Sequence, residues 1–209
     1  MRAGVSVRRD QKAGGKIMKQ ITNIVLSGVG GQGILLASKL VSEAALLEGY
    51  DVKANEVHGM AQRGGSVIGQ IRFGEKVFSP LVKLGSAHIL LAMEIIESIR
   101  YAPYLSSTGL ALVNTQRVFP TTVSSGQAEY PADPEGLVKQ TFPRFQMADC
   151  LAIAKEAGDT RCTNTVMVGW LSNHLPFSAE SWQKVLEQCI KPKFISMNLK
   201  AFALGKKIS

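Results

Sequence analysis

The sequence predicts a single three-layer α/β/α domain with a mixed, mostly parallel sheet that opens on a Rossmann-like strand–glycine loop–helix unit. Three observations carry that expectation. Short β-branched apolar runs alternate with segments of helical apolar spacing, the pattern of α/β folds. The first run, Ile21–Ser27, feeds Gly28-Val29-Gly30-Gly31-Gln32-Gly33 and then a helix. A chain of 209 residues, 45% hydrophobic and 19% charged, can also bury one substantial core, which excludes general disorder.

Residues 1–19 read as a basic tail, expected to be a disordered or start-site extension, and residues 20–209 as the domain. Within residues 1–17, Arg2, Arg8, Arg9, Lys12 and Lys16 stand against Asp10, so half of the net charge of +8 sits there. The +4 that remains is a weak case for nucleic-acid binding, and no nucleic-acid motif supports it. The tail lacks the apolar centre of a signal peptide. No segment reaches the ~18 consecutive apolar residues of a membrane span. A soluble, cytoplasmic protein is expected.

After the first strand, Ile34–Glu48 places Leu36, Leu40, Ala44 and Leu47 at helical spacing, with Gly49 as its stop. Tyr50–Val57 reads as a strand and His58–Gly65 as a polar loop. Ser66–Phe73 and Val77–Leu81, around Gly74-Glu75-Lys76, read as a β-hairpin. Ala87–Ala92 suits a buried strand, Glu94–Arg100 a helix and Leu110–Asn114 a further strand. Residues 116–134 are rich in Pro, Ser and Thr and read as irregular. A helix at Glu135–Phe142 and a short strand at Arg144–Met147 follow. The spacing then predicts helices at Ala148–Ala157, Asn164–His174, Ala179–Ile190 and Phe194–Leu204. Gly205 closes the last, with Lys206 and Lys207 suiting a helix C-terminus.

Gly28, Gly30 and Gly33 satisfy G-x-G-x-x-G between a strand and a helix. The turn asks for residues without Cβ, and the N–H groups at the helix start favour an anion. A Walker A loop is excluded, because Ile34-Leu35 stand where Lys and Ser or Thr are required. Glu56 lies at the distance expected for a ribose-binding acid in a dinucleotide site. Close strand–helix packing, an NAD or FAD site, another ligand and a subunit contact all remain open for this loop. The second loop, His58-Gly59-Met60-Ala61-Gln62-Arg63-Gly64-Gly65, gathers an imidazole, an amide and a guanidinium among glycines. Arg63 beside backbone N–H groups could hold a carboxylate or phosphate. A solvated turn with Arg63 in a surface ion pair is the plainer alternative.

Taken together, GVGGQGILLASKL, EVHGMAQRGGSVIGQIRFG, VFSPLV and NLKAFALG resemble the gamma-type subunit of 2-oxoacid:ferredoxin oxidoreductases. Within these they resemble the small (beta) subunit of the indolepyruvate, or aryl-pyruvate, branch. The likeness runs from about Gln20 to Gly205. It implies a complex that oxidatively decarboxylates a 2-oxoacid, with thiamine diphosphate and Mg²⁺, coenzyme A as acyl acceptor and ferredoxin as electron acceptor. It also implies a large (alpha) partner subunit that carries the thiamine diphosphate and the iron–sulfur clusters. By the same resemblance Gly28, Gly30, Gly31, Gln32 and Gly33 face coenzyme A or a partner loop. His58, Gln62, Arg63, Gly64 and Gly65 line the approach to the active site.

No Gly-Asp-Gly with a following Asn-Asn pair is present to hold a diphosphate's Mg²⁺. Cys150, Cys162 and Cys189 include no Cys-x-x-Cys pair and are too few for a cluster. No cofactor, metal or catalytic residue is therefore expected in this chain alone, and self-association of the isolated chain stays open. His88 reads as a core or strand-end residue and His174 as a helix C-terminal one. Trp170 and Trp182 read as core or interface anchors, Cys162 as a buried small hydrophobe, and the Val185, Leu186, Cys189, Ile190 stripe as core. The competing function is a stand-alone NAD- or FAD-binding dehydrogenase or regulatory module. It lacks an accompanying acid–base constellation.

Overall fold

The computed structural model describes residues 12–13, 16–17, 20–58, 64–127 and 129–209. A two-residue antiparallel ladder, Lys12–Ala13 against Lys16–Ile17, precedes the domain, and the rest of the 1–19 tail lies outside the described residues. Strand β1 is Thr22–Val29, followed by α1 (Ile34–Leu47), β2 (Asp51–His58), β3 (Ser66–Gly74), β4 (Ala87–Ala92), α2 (Ile95–Arg100) and β5 (Leu105–Asn114). A single turn, α3 (Thr121–Ser124), leads to α4 (Pro134–Thr141) and β6 (Phe145–Ala148). Four helices close the chain: α5 (Cys150–Ala157), α6 (Thr163–Ser172), α7 (Ala179–Cys189) and α8 (Ile195–Gly205).

The six strands run in the order β2-β3-β1-β4-β5-β6. Strand β3 is antiparallel to both of its neighbours, and the β1–β4, β4–β5 and β5–β6 pairs are parallel. All eight residues of β1 are buried, as expected where both faces of a sheet are covered. Its alternate side chains divide between two cores. Ile24 and Leu26 join Ile71, Leu91 and Leu112 beneath α1 and α5 to α8. Val25 joins Ile68, Leu90, Ala111 and Val113 beneath Ile95 of α2 and Val138 of α4. These are the three expected layers.

Four local readings are corrected. The first concerns Val77–Leu81, which is no strand, and the hairpin is instead β2–β3 across the second loop. Both edges of β3 are already occupied, and Pro80 brings no N–H to a ladder. The segment is pinned as a loop: Asp51 Oδ2 accepts the Val77 N–H at 2.9 Å, Gln70 Oε1 accepts the Val82 N–H at 2.6 Å, and Arg72 Nη1 donates to the Ser79 carbonyl at 2.8 Å. Phe78 is left 88% exposed. The second is the buried stripe of α1, which runs through Ala37, Leu40, Val41, Ala44 and Ala45 and leaves Leu47 exposed, because the small alanines let the helix lie close on the sheet. The third is Leu110–Asn114, where pairing extends back to Leu105.

The fourth is Gly205, which lies within α8 and does not end it by a left-handed turn. A Cβ at Gly205 would run into the Val166 carbonyl oxygen, and one at Gly169 into that of Phe202. These two glycines let α8 cross directly over α6, whose residues from Asn164 to Ser172 are all buried. Around the crossing, Trp182 stacks between Phe177 and Phe202 at centroid distances of 5.6 and 5.4 Å. Both Trp170 and Trp182 are core, as their sequence setting suggested. No helix among the described residues is long and apolar enough to cross a membrane.

Gly49, by contrast, is a true helix stop: it sits at φ 78°, and its N–H donates to the Leu46 carbonyl at 2.9 Å. Nothing lies within 4 Å of a Cβ there. Two substitutions separate the two causes. Gly205→Ala lowers stability by about 1–3 kcal/mol through steric overpacking. Gly49→Ala costs about 1–2 kcal/mol through its left-handed backbone alone. Urea unfolding checks both. Shortening Val166 cannot rescue Gly205→Ala, because the clash is with backbone.

Candidate functional site

The chain leaves β1 through α1 on one face of the sheet and leaves β4 through α2 on the other. A crevice therefore opens outside the carboxyl ends of these two strands, where open α/β sheets bind ligands. The glycine loop fills that position. Gly28 is a buried β1 residue, where a Cβ would approach Gln32 Oε1 to 2.7 Å and Met93 Cβ to 3.0 Å. Its bareness lets the Gln32 side chain fold back over the strand end. Gln32 Oε1 accepts the Val29 N–H at 2.7 Å, and Nε2 donates to the Met93 carbonyl at 3.0 Å and to Gln116 Oε1 at 3.2 Å. Asn114, fully buried, donates to the same Met93 carbonyl at 3.0 Å and accepts the Cys150 N–H at 3.1 Å. Two amides thus join the ends of β1, β4 and β5 to the start of α5.

The rest of the loop divides its backbone between fold and cleft. The Gly30 N–H donates to the Gly65 carbonyl at 2.8 Å, tying the two glycine-rich loops together, and the Gln32 N–H donates to the Val29 carbonyl at 3.1 Å. Gly31 is exposed at φ 104°. Gly33, at φ 79°, begins α1 with no capping side chain and no acid in the first turn, so the positive end of the helix dipole faces the crevice. A Cβ at Gly33 would strike the Asn164 amide, which donates to the Gly33 carbonyl at 3.2 Å. The cleft in front, about 250 Å³, is lined by Gly31, Gln32, Gly33, Met93, Gln116 and Leu151, with Thr160, Arg161 and Thr163 opposite. An apolar cavity of about 280 Å³ adjoins it and shares Arg161.

Arg161 is held twice by Asp159 Oδ2, from Nε at 2.9 Å and Nη2 at 2.5 Å, and lies over the Phe194 ring at 5.7 Å. Those guanidinium hydrogen bonds, then that of the Arg161 backbone, hold the Asp159 carboxyl below its ordinary 3.8. Below the cleft, Glu94 is a buried carboxylate that caps α2. Its oxygens accept the N–H groups of Ile96, Glu97 and Val118 and the hydroxyl of Tyr130. Burial, then the Glu94 charge, pushes the Tyr130 phenol above its ordinary value.

Of the expected second-loop residues, His58 closes β2 opposite Val67, and Gly64 and Gly65 lie against Gly30. Gln62 and Arg63 fall outside the described residues. Met93, Gln116, Arg161 and Asn164 were not singled out in the sequence. The first two follow directly on β4 and β5, and the carboxyl-end rule could have found them. Asn164 comes from the far side of the chain with no local signature.

The dinucleotide expectation meets a topological obstacle. Strand β3 stands between β1 and β2, so Glu56 is set back from β1 by an extra strand spacing of about 4.8 Å. Glu56 instead packs over Gly69. The cysteines do not fit a cluster either. Cys150 and Cys162 are core residues; burial, then the Asp149 charge, pushes the Cys150 thiol up to about 12, and burial raises Cys162 and Cys189 as well. Among the described residues no three His, Cys, Asp or Glu are grouped to hold a metal ion. His88 is the second residue of β4, near the strand's end, and its Nδ1 accepts the Asn23 N–H at 3.0 Å.

Gln32→Glu removes a donor and points a carboxylate at two acceptors, so it destabilises the chain by about 1–3 kcal/mol in urea unfolding. A stability equal to wild type would show that the amide is not a structural clasp. Asp159 gives a pH signature. Its depressed carboxyl contributes stability that is complete above the ordinary carboxylate value of 3.8 and is lost as pH falls through the lower folded value. Asp159→Ala therefore melts below wild type at neutral pH, and the difference shrinks as pH falls below 3.8.

Residues 23–208 match the family model described as pyruvate ferredoxin/flavodoxin oxidoreductase. The indolepyruvate oxidoreductase subunit IorB of Thermococcus kodakarensis is 43% identical over 190 residues, covering 88% of this chain and 94% of that protein. The pyruvate oxidoreductase subunit PORC of Thermotoga maritima shares the fold with a TM-score of 0.68 at 24% identity, over 91% of this chain and 97% of that one. A 2-oxoglutarate:ferredoxin oxidoreductase from Magnetococcus marinus, solved with 2-oxoglutarate, coenzyme A and succinyl-CoA bound, shares it with a TM-score of 0.70 at 18% identity. That match spans 91% of this chain and 31% of the longer one. With a glycine loop at the switch point of a matching fold and a family match along almost the whole domain, the chain belongs to the pyruvate ferredoxin/flavodoxin oxidoreductase family.

Proposed function

We propose that the chain is the small, cluster-free subunit of an indolepyruvate-type 2-oxoacid:ferredoxin oxidoreductase, and that its two glycine-rich loops wall the coenzyme A side of an active site completed by a large partner subunit. The observation that carries this reading is the cleft itself. Its walls combine glycine backbone, amides and hydroxyls with the apolar Met93 and Leu151 at an uncapped helix start, and its charged lining residue, Arg161, is paired with Asp159. Such a surface recognises an anion or a partner loop by hydrogen bonds.

The names of the relatives support the assembly. IorB is an oxidoreductase subunit, and in the Magnetococcus marinus enzyme, which has coenzyme A bound, the matching fold is about a third of a longer chain. In the proposed reaction the 2-oxoacid loses its carboxyl carbon as CO₂ and two electrons pass one at a time to ferredoxin. The acyl group then joins the sulfur of coenzyme A, whose thiol proton is released. Thiamine diphosphate, Mg²⁺ and the iron–sulfur clusters belong on this reading to the large subunit. The present chain binds and orients: Gly31 and Gly33 offer backbone to a pyrophosphate, and Arg63, with His58 and Gln62 nearby in sequence, offers charge.

Arg63→Ala in the reconstituted two-subunit complex raises KM for coenzyme A about 10-fold or more, the worth of a charge-assisted hydrogen bond. KM for the 2-oxoacid stays close to wild type. Unchanged coenzyme A kinetics would refute the role, and tight NADH binding by the chain with no response to coenzyme A would favour the dinucleotide reading.

A further inference from the structure

Helix α2 contains a second buried carboxylate that the helix itself does not require. Glu94 already caps the N–H groups of Ile96 and Glu97, yet Glu97 follows it in the first turn and is only 6% exposed. Burying a second acid beside the first has a cost unless its oxygens are fully employed. They are. Glu97 Oε1 accepts from Arg100 Nε at 3.0 Å, and Oε2 accepts from the Ser66 hydroxyl. The same hydroxyl lies 2.9 Å from the Tyr101 hydroxyl.

Ser66 is the first residue of β3 and stands opposite Val29, the last residue of β1. The preceding carbonyl, that of Gly65, is the one that receives the Gly30 N–H. Glu97 thus grips the strand residue from which the second loop's exit reaches back to the glycine loop. The connection runs from the α2 side of the sheet, through Ser66 and Gly65, to Gly30 at the edge of the cleft. We propose that Glu97, with Tyr101 as the second partner of Ser66, is a positioning residue that sets the register of the two glycine-rich loops and so the shape of the cleft. This rests on the reading that those loops wall the coenzyme A side.

Oε1 of Glu97 faces the Arg100 guanidinium, which only donates, and Oε2 faces the Ser66 hydroxyl. Glutamine would turn an NH₂ group toward either Ser66 or Arg100. The test uses the reconstituted two-subunit complex with Glu97→Gln, Ser66→Ala, Tyr101→Phe and Ser66→Thr, read by hydrogen–deuterium exchange and steady-state kinetics. In Glu97→Gln and Ser66→Ala, amides of segments 28–33 and 64–67 exchange about 10-fold faster or more, while those of β4 and β5 keep wild-type rates. KM for coenzyme A rises several-fold in both variants, KM for the 2-oxoacid and kcat stay within about 2-fold, and Ser66→Thr, which keeps the hydroxyl, restores both readouts.

Unchanged exchange at segments 28–33 and 64–67 overturns the clasp. Faster exchange with unchanged coenzyme A kinetics overturns its positioning role. Arg63→Ala, measured in parallel, then separates the two ideas: if it raises KM for coenzyme A, the assignment of the cleft stands without Glu97, and if it does not, that assignment falls too. Should Glu97→Gln fail to fold, Ser66→Ala and Ser66→Thr decide alone, because they alter one half-buried hydroxyl at a strand start.

Discussion

The side-chain amide of Gln32 holds the carboxyl end of the sheet together. Parallel strands leave their last peptide groups without ladder partners, and here three such ends converge. Gln32 serves Val29 on its oxygen and Met93 and Gln116 on its nitrogen, while Asn114 serves Met93 and the start of α5. The glycines follow from these amides. Gly28 lacks a Cβ because the Gln32 oxygen occupies that space, and Gly33 lacks one because Asn164 does. A motif usually associated with room for a phosphate therefore makes room, at two of its three positions, for the protein's own amides. The third, Gly30, uses its N–H on the neighbouring loop. What remains for a ligand is Gly31, the outer face of Gly33 and the helix start at Ile34.

The second governing constraint is the antiparallel strand β3. It enters the sheet between β1 and β2, with eight residues registered on each side, and so satisfies two edges at once. Its cost to a dinucleotide-binding fold is positional, since the acid on β2 can no longer reach a ribose placed over β1. Its benefit to a subunit is that the β2–β3 connection is delivered to the glycine loop, so that Gly64 and Gly65 meet Gly30. The same insertion that weakens one function makes the pairing of two loops available to another.

Most elements were legible because their apolar periodicity is local. Ala87–Ala92 and the α1 start at Ile34 are where the sequence pattern places them. The failures share a cause, which is that the deciding partner is distant in sequence. Val77–Leu81 has the composition of a strand, but β3 has no free edge to offer it. Gly205 looks like a helix stop, but its reason is a backbone crossing with α6. Of the site, both glycine loops could be seen in the sequence. Asn164, Arg161 and Glu97 could not, because nothing near them in the chain marks the surface that folding brings them to.

The acids around the cleft are held by hydrogen-bond donors of the chain itself. Each acid near it is already committed: Glu94 to four donors, Glu97 to Ser66 and Arg100, Asp159 to Arg161. Of these, the Asp159 carboxyl is held below its ordinary value by the Arg161 hydrogen bonds, which makes it a poor base. The buried thiols, raised by desolvation, are poor nucleophiles for the complementary reason that they hold their protons. A surface built in this way can fix the position of a ligand with little reorganisation.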